Sequence, residues 1–158
     1  MTTRPHFYRF HNGEKAPLPF ESDEYGARIA ELRDRMEAQG ATAAVFTSMH
    51  NVAYYSGFLY CAFGRPYACV VTEDACVTVS AGIDAGQPWR RCHGDNITYT
   101  DWHRDNFWRA VREVTGEGAV IGVESVHLTL LQQAKMEDFL KPAATVDLYE
   151  TTMRQRIH

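Results

Sequence analysis

The chain has 158 residues, 45% of them hydrophobic and 23% charged, with a formal net charge of -4. That length suits one domain, large enough to bury about 68–70% of its unfolded surface without disulfide or metal staples. The acidic balance offers no basic face to a nucleic acid, and no run of about 18 apolar residues is present to cross a membrane.

The cysteines, Cys61, Cys69, Cys76 and Cys92, form no C-x-x-C pair, and residues 1–10 carry no apolar core of signal-peptide length. Reduced thiols in a cytoplasmic protein are the expectation, with Cys69 a small core residue of a strand.

Residues 1–21 read as an irregular arm broken by Pro5, Gly13, Pro17 and Pro19. Ser22 then opens a helix as its N-cap, with Asp23 and Glu24 at the positive end of the dipole, and Gly40 closes it. Tyr25, Ile29, Leu32 and Met36 make its apolar stripe, and Glu24–Arg28 and Glu31–Arg35 pair on the wet side. Residues 43–47 read as a central strand and 48–55 as a short helix capped by Ser48. His50 in that helix lacks a catalytic partner and is expected to be a hydrogen-bonded structural histidine.

Residues 66–72 and 76–80 predict a hairpin across Glu73-Asp74. A loop follows over 82–91, with Trp89 as its anchor. A strand is expected at 97–100, a helix from Asp101 or Asp105 to Thr115, and a strand at 120–123. A helix over 128–140 is capped by Thr129, a strand lies at 145–148, and a polar helix begins at Tyr149. Strands alternating with helices around one hairpin imply an α/β fold with a mixed, largely parallel sheet of about six strands.

The stretch with the most chemistry runs from Tyr54 to Thr72. Tyr54, Tyr55, Phe58, Tyr60, Phe63 and Tyr67 fall within fourteen residues and surround one cation, Arg65. Gly64 and Pro66 restrict the backbone on either side of it. A held guanidinium between aromatic walls suits a carboxylate or phosphate. The same composition fits a buried apolar turn with one surface Arg. No phosphate-binding loop, dinucleotide fingerprint or nucleophile elbow is present. His93 and His103, flanking a strand near Asp95, Asp101 and Asp105, are the residues most able to meet around a metal, although strand-end surface residues are the commoner outcome. The residues therefore offer a binding loop without a catalytic set, in either an accessory domain of a larger enzyme or a stand-alone binding module.

Several strings resemble the N-terminal domain of creatinases: Phe58-Leu59-Tyr60-Cys61, Phe63-Gly64-Arg65-Pro66-Tyr67-Ala68, Gly86-Gln87-Pro88-Trp89-Arg90-Arg91 and Tyr99-Thr100-Asp101-Trp102. The likeness covers roughly residues 20–156. Prolidases and X-Pro aminopeptidases look similar in element order but lack the Phe-Gly-Arg-Pro loop. The resemblance implies a creatinase/prolidase N-terminal domain with a ribonuclease H-like motif over 22–150, after an arm at 1–21. Residues 151–158 would begin the linker to a C-terminal pita-bread catalytic domain.

It further implies a homodimer that hydrolyses creatine to sarcosine and urea without cofactor or metal, with the 158-residue segment inactive alone. By position, Phe63 and Arg65 would contact the substrate in trans, and no catalytic residue lies in this segment. Met49 and Gly57 depart from the family's pattern, where a Tyr and an acidic residue are expected, which admits a related guanidino or N-carbamoyl acid as substrate. A metallopeptidase of the prolidase type is the alternative parent.

Overall fold

In the computed structural model, residues 3–11, 13–60 and 64–157 are described. The elements are β1 (Phe7–Tyr8), α1 (Ser22–Ala38), β2 (Ala43–Phe46), α2 (Met49–Ser56), β3 (Ala68–Thr72), β4 (Cys76–Ala81), a 3-10 turn (Gly82–Asp84), α3 (Gln87–Arg90), β5 (Asp95–Tyr99), α4 (Asn106–Thr115), β6 (Val120–Val123), α5 (Leu130–Leu140), β7 (Ala144–Asp147) and α6 (Tyr149–Ile157). Among the described residues seven strands form one mixed sheet in the order β1-β5-β4-β3-β2-β6-β7. The expected mixed α/β sheet is present, with β1 as an additional strand.

The α1 stripe is buried as its spacing predicts: Tyr25, Ile29, Leu32 and Met36 all face the core. Complete burial of Leu32 alone contributes about 1.5–3 kcal/mol. Both i,i+4 ion pairs form, Arg28 with Glu24 at 3.0 Å and Arg35 with Glu31 at 2.7 Å. Glu21, not Ser22, holds the N-cap position, and neither side chain caps the helix. Gly40 ends it at φ 75°, a left-handed conformation that costs glycine little.

Ser48 accepts from the Asn51 N–H and caps α2, and Thr129 does the same for α5 through Gln132. The hairpin closes with the Thr72 N–H on the Ala75 carbonyl at 2.9 Å. Strand β2 is buried throughout, β3 up to Thr72 and β4 beyond Cys76. Burial at consecutive strand positions requires cover on both faces. Helices α1, α2 and α6 form one contacting group and α4 and α5 another, and both groups reach β3 and β4 directly.

The irregular arm contains β1, which pairs antiparallel with β5, Phe7 opposite Tyr99. Its own sequence carries no strand pattern; the free edge of β5 imposes the extended form. Lys15 then pins the arm. Its ammonium donates to the carbonyls of Trp89, Cys92 and Gly94 at 2.6, 2.9 and 2.8 Å and sits 4.5 Å from the Trp89 ring centroid. Trp89 is thus the anchor expected, although its surroundings are a 3-10 turn and the short α3 rather than plain loop. Helix α6 packs on its own domain, where Gln155 joins the Tyr55 hydroxyl and the Arg28 carbonyl.

Candidate functional site: the Arg65 loop

Both ends of the loop between α2 and β3 are braced by tyrosine hydroxyls. Tyr60 donates to the Thr47 carbonyl at 2.5 Å, Tyr99 donates to the Pro66 carbonyl at 2.9 Å, and Tyr67 donates to the Asp84 carboxylate. The rings of Tyr60 and Tyr67 stack with centroids 4.5 Å apart, and Phe58 lies 6.1 Å from Tyr67. Burial raises the pKa of the Tyr60 and Tyr99 hydroxyls, reinforced by Glu124 near the first and by Tyr67 and Asp101 near the second. These groups therefore remain protonated donors at neutral pH.

Gly64, at φ 77°, and Pro66 frame Arg65. Its Nη1 donates to Asp101 Oδ1, in an ion pair whose side chains are 41% and 40% exposed. Among the described residues nothing accepts from Arg65 Nη2 or Nε, so most of its donor fork is free. Arg65 lies between two cavities. One, of about 370 Å³, is walled by Phe58, Leu59, Tyr60, Tyr67, Ile83 and Pro88, with Asp84, Gln87 and Arg91 at its polar side. The other, of about 400 Å³, is lined by Gly64, Pro66, Tyr99, Asp101, His103 and Arg104. Three guanidinium groups face two carboxylates across the pair of cavities, a balance that suits an anion carrying an apolar body.

A polar ladder of side chains links β4 and β5 on one face. Asn96 Nδ2 donates to Thr78 Oγ1 at 2.8 Å and Ser80 Oγ at 3.1 Å, while Thr98 reaches the Ala85 carbonyl. The ladder thus ties the sheet to the 82–86 turn that lines the ring-walled cavity.

A larger cavity, about 850 Å³, is an open groove lined by residues including Phe20, Arg28, His50, Tyr54, Glu124 and Arg156. Its charged groups are already engaged within the fold. Arg28 pairs with Glu24 and covers the Phe20 and Tyr54 rings, and Arg156 donates to Asn51. Glu124 is buried and accepts from the N–H groups of Thr47 and Ser48, the Ser48 hydroxyl and Asn51 Nδ2. The size of this groove therefore does not make it the chemical site.

Of the residues singled out from sequence, Arg65 is on the surface, beside rings and held. Phe63 lies outside the described residues. His50 corrects the expectation of a hydrogen-bonded structural histidine: it is exposed and, among the described residues, takes no hydrogen bond, because α2 turns it towards solvent. His93 stacks on Tyr25 with centroids 5.5 Å apart, whereas His103 meets Arg109, so the two serve separate surroundings. Among the described residues no group of three His, Cys, Asp or Glu side chains is placed to hold a metal ion. Tyr54 and Tyr55 pack on each other and on Arg28 and Phe46 rather than beside Arg65, and Trp89 packs under Lys15. Cys69 is fully buried in β3, and Cys69, Cys76 and Cys92 are free thiols.

Gly57 ends α2 at φ 76°, and a β-carbon there would stand 2.9 Å from the Tyr25 hydroxyl. A larger residue at this position would strain the left-handed backbone and push the Tyr25 ring aside. Sequence reasoning did not identify Asp101 as the partner of Arg65, Tyr99 as a brace or Glu124 as a node. Asp101 and Tyr99 stand in a recognised string, but their pairing with a loop more than thirty residues upstream has no local signature.

A model of the Creatinase/Prolidase N-terminal domain family matches residues 28–158. The chain is 47% identical over 149 residues to a creatinase of Bacillus sp. (strain B-0618), covering 92% of this chain and 36% of that protein. It thus spans about a third of that relative's length. Among solved structures it is similar to the creatinase/prolidase N-terminal domain of an X-Pro dipeptidase from Streptococcus pyogenes, with TM-score 0.72, 19% identity, and 81% of this chain and 98% of that chain covered. It is also similar to the prolidase from Pyrococcus horikoshii OT3, with TM-score 0.68, 15% identity, and coverage of 83% and 35%. At these identities the two structures establish the fold.

Proposed function

The chain belongs to the creatinase/prolidase N-terminal domain family, and we propose that it is the N-terminal, non-catalytic domain of a creatinase-type hydrolase. In this reading the parent enzyme splits creatine, or a related guanidino or N-carbamoyl acid, with water. Its acid–base groups lie in a C-terminal pita-bread domain, and residues 151–158 lead towards it. The parent is a cytoplasmic homodimer in which this domain lends Arg65 and Phe63 to the partner's reaction chamber. Three free thiols agree with a reducing compartment, and no helix among the described residues is long and apolar enough to cross a membrane.

The observation that carries the reading is a held but largely unsaturated guanidinium on a ring-walled face, in a chain 47% identical to a creatinase. A substrate carboxylate is the ligand such a fork takes best, through two parallel N–H···O bonds. The apolar wall excludes water from the opposite end of the ligand and limits its poses, which is how a binding residue raises the rate of chemistry done elsewhere.

The test is sarcosine and urea release from creatine by the full-length protein and by the 158-residue segment. Turnover is expected from the first and none from the second. Failure on creatine with metal-dependent cleavage of an X-Pro dipeptide would replace this reading by the prolidase type, whose solved structures share the fold.

A further inference from the structure

We infer that Asp101 is a positioning residue that holds Arg65 from behind and, through its own charge, limits the site to ligands with a single carboxylate. The inference rests on the proposed role of Arg65 and adds to it the origin of charge selectivity.

The placement is asymmetric. Arg65 lines both cavities, but Asp101 lines only the second, away from Phe58, Tyr60 and Tyr67. The carboxylate thus engages one corner of the guanidinium, while the ring-walled cavity adjoins the same side chain on its other flank. The backbone of Asp101 is placed by β5. It follows Tyr99, the last residue of β5, by two positions, and Tyr99 holds the Pro66 carbonyl. The end of one strand therefore meets both the head of Arg65 and the carbonyl of the next residue, Pro66. A β-carbon added at Gly82 would lie 3.4 Å from Asp101 Oδ2 and 3.2 Å from the Tyr99 carbonyl, so the backbone of the 82–84 turn closes in on this pair. Among the described residues Asp101 has no hydrogen-bond partner besides Arg65.

Two consequences oppose each other, and their balance gives a signature. The negative charge of Asp101 offsets part of the attraction Arg65 exerts on an anion, and does so twice over for a dianion. Its hydrogen bond also fixes the plane of the fork, which fixes where a bound carboxylate lies. Removing the charge tightens anion binding while loosening its geometry. A fall in KM together with a fall in kcat marks the loss of such an arrangement. A residue that served only folding would reduce the amount of active enzyme and leave selectivity unchanged.

The experiment uses the full-length enzyme and its Asp101→Asn, Asp101→Glu and Arg65→Ala variants. Creatine kinetics are measured together with inhibition by a monocarboxylate, N-methylglycine, and a dicarboxylate, iminodiacetate. Asp101→Asn is expected to lower KM roughly two- to five-fold, the scale of an exposed ion pair, and to lower kcat about tenfold through misplacement. It should favour the dicarboxylate over the monocarboxylate relative to wild type. Asp101→Glu, which restores the charge, should restore the wild-type preference. An unchanged preference in Asp101→Asn overturns the inference, as does a shifted preference that Asp101→Glu fails to reverse. If Arg65→Ala leaves both inhibition constants unaltered, the parent reading of Arg65 fails instead.

Discussion

Glu124 and Arg65 are the two charged residues around which this molecule is most informative, and they are opposites. Glu124 is buried at the end of β6, and four donors from the β2–α2 junction fill its oxygens. Arg65 is 41% exposed, with one acceptor among the described residues and the rest of its fork open to them. A charge whose capacity is filled by its own fold serves architecture. A charge held in place but left unsaturated is available to a ligand. The contrast also explains why the larger groove beside Glu124 is the weaker candidate.

The comparison can be broken most easily at Glu124. Glu124→Ala would leave several buried donors without an acceptor, and the expected loss is about 3–5 kcal/mol of stability. Chemical denaturation checks it; a loss no larger than that of a surface substitution would put Glu124 outside the architecture. Arg65→Ala should behave inversely. Stability should stay within about 0.5 kcal/mol of wild type, while kcat/KM of the full-length enzyme for a carboxylate substrate falls by the equivalent of about 1.5–3 kcal/mol. Steady-state kinetics beside a melting curve separates the two effects.

Between these extremes stands Tyr99, which is nearly buried and braces the loop through a single bond. Tyr99→Phe should cost about 1 kcal/mol and lower substrate affinity only modestly, as read by denaturation and KM together. The smallest effect is expected at Asp95. Burial raises its pKa, but hydrogen bonds from His11 and the Asn96 N–H, with Arg9 nearby, outweigh this and hold it below the ordinary carboxylate value. A depressed folded-state value stabilises the protein above the unfolded pKa of about 3.9. That contribution disappears as pH falls through the folded value. Asp95→Asn should therefore be less stable than wild type at neutral pH, and the gap should close in acid; a gap that widened there would contradict the assignment.

What the sequence disclosed follows from the range of the forces involved. The Tyr25–Met36 stripe, the Ser48 and Thr129 caps and the hairpin at Glu73-Asp74 depend on neighbours three or four positions away, and all were legible. The β1 strand was not, because a two-residue strand takes its form from β5 rather than from its own pattern. Glu124 was also missed: a lone acidic residue after a buried strand looks like any strand end until the β2–α2 junction folds over it. At the candidate site, the ring-rich composition around Arg65 was visible, whereas the acceptor that orients it lies across the sheet. His50 shows the reverse error, since Asn51, next to it in sequence, turns into the core while His50 stays exposed.

The clamp formed by Lys15 has an effect beyond anchoring. By fastening the arm, it keeps β1 seated along the outer rim of β5, where unpaired peptide groups would otherwise recruit a strand from another molecule. Losing that fastening would bare Thr98 and Tyr99 at the end of β5 as well, so the first casualty of a neutral residue at position 15 should be colloidal behaviour, with sheet-to-sheet association preceding any loss of the core.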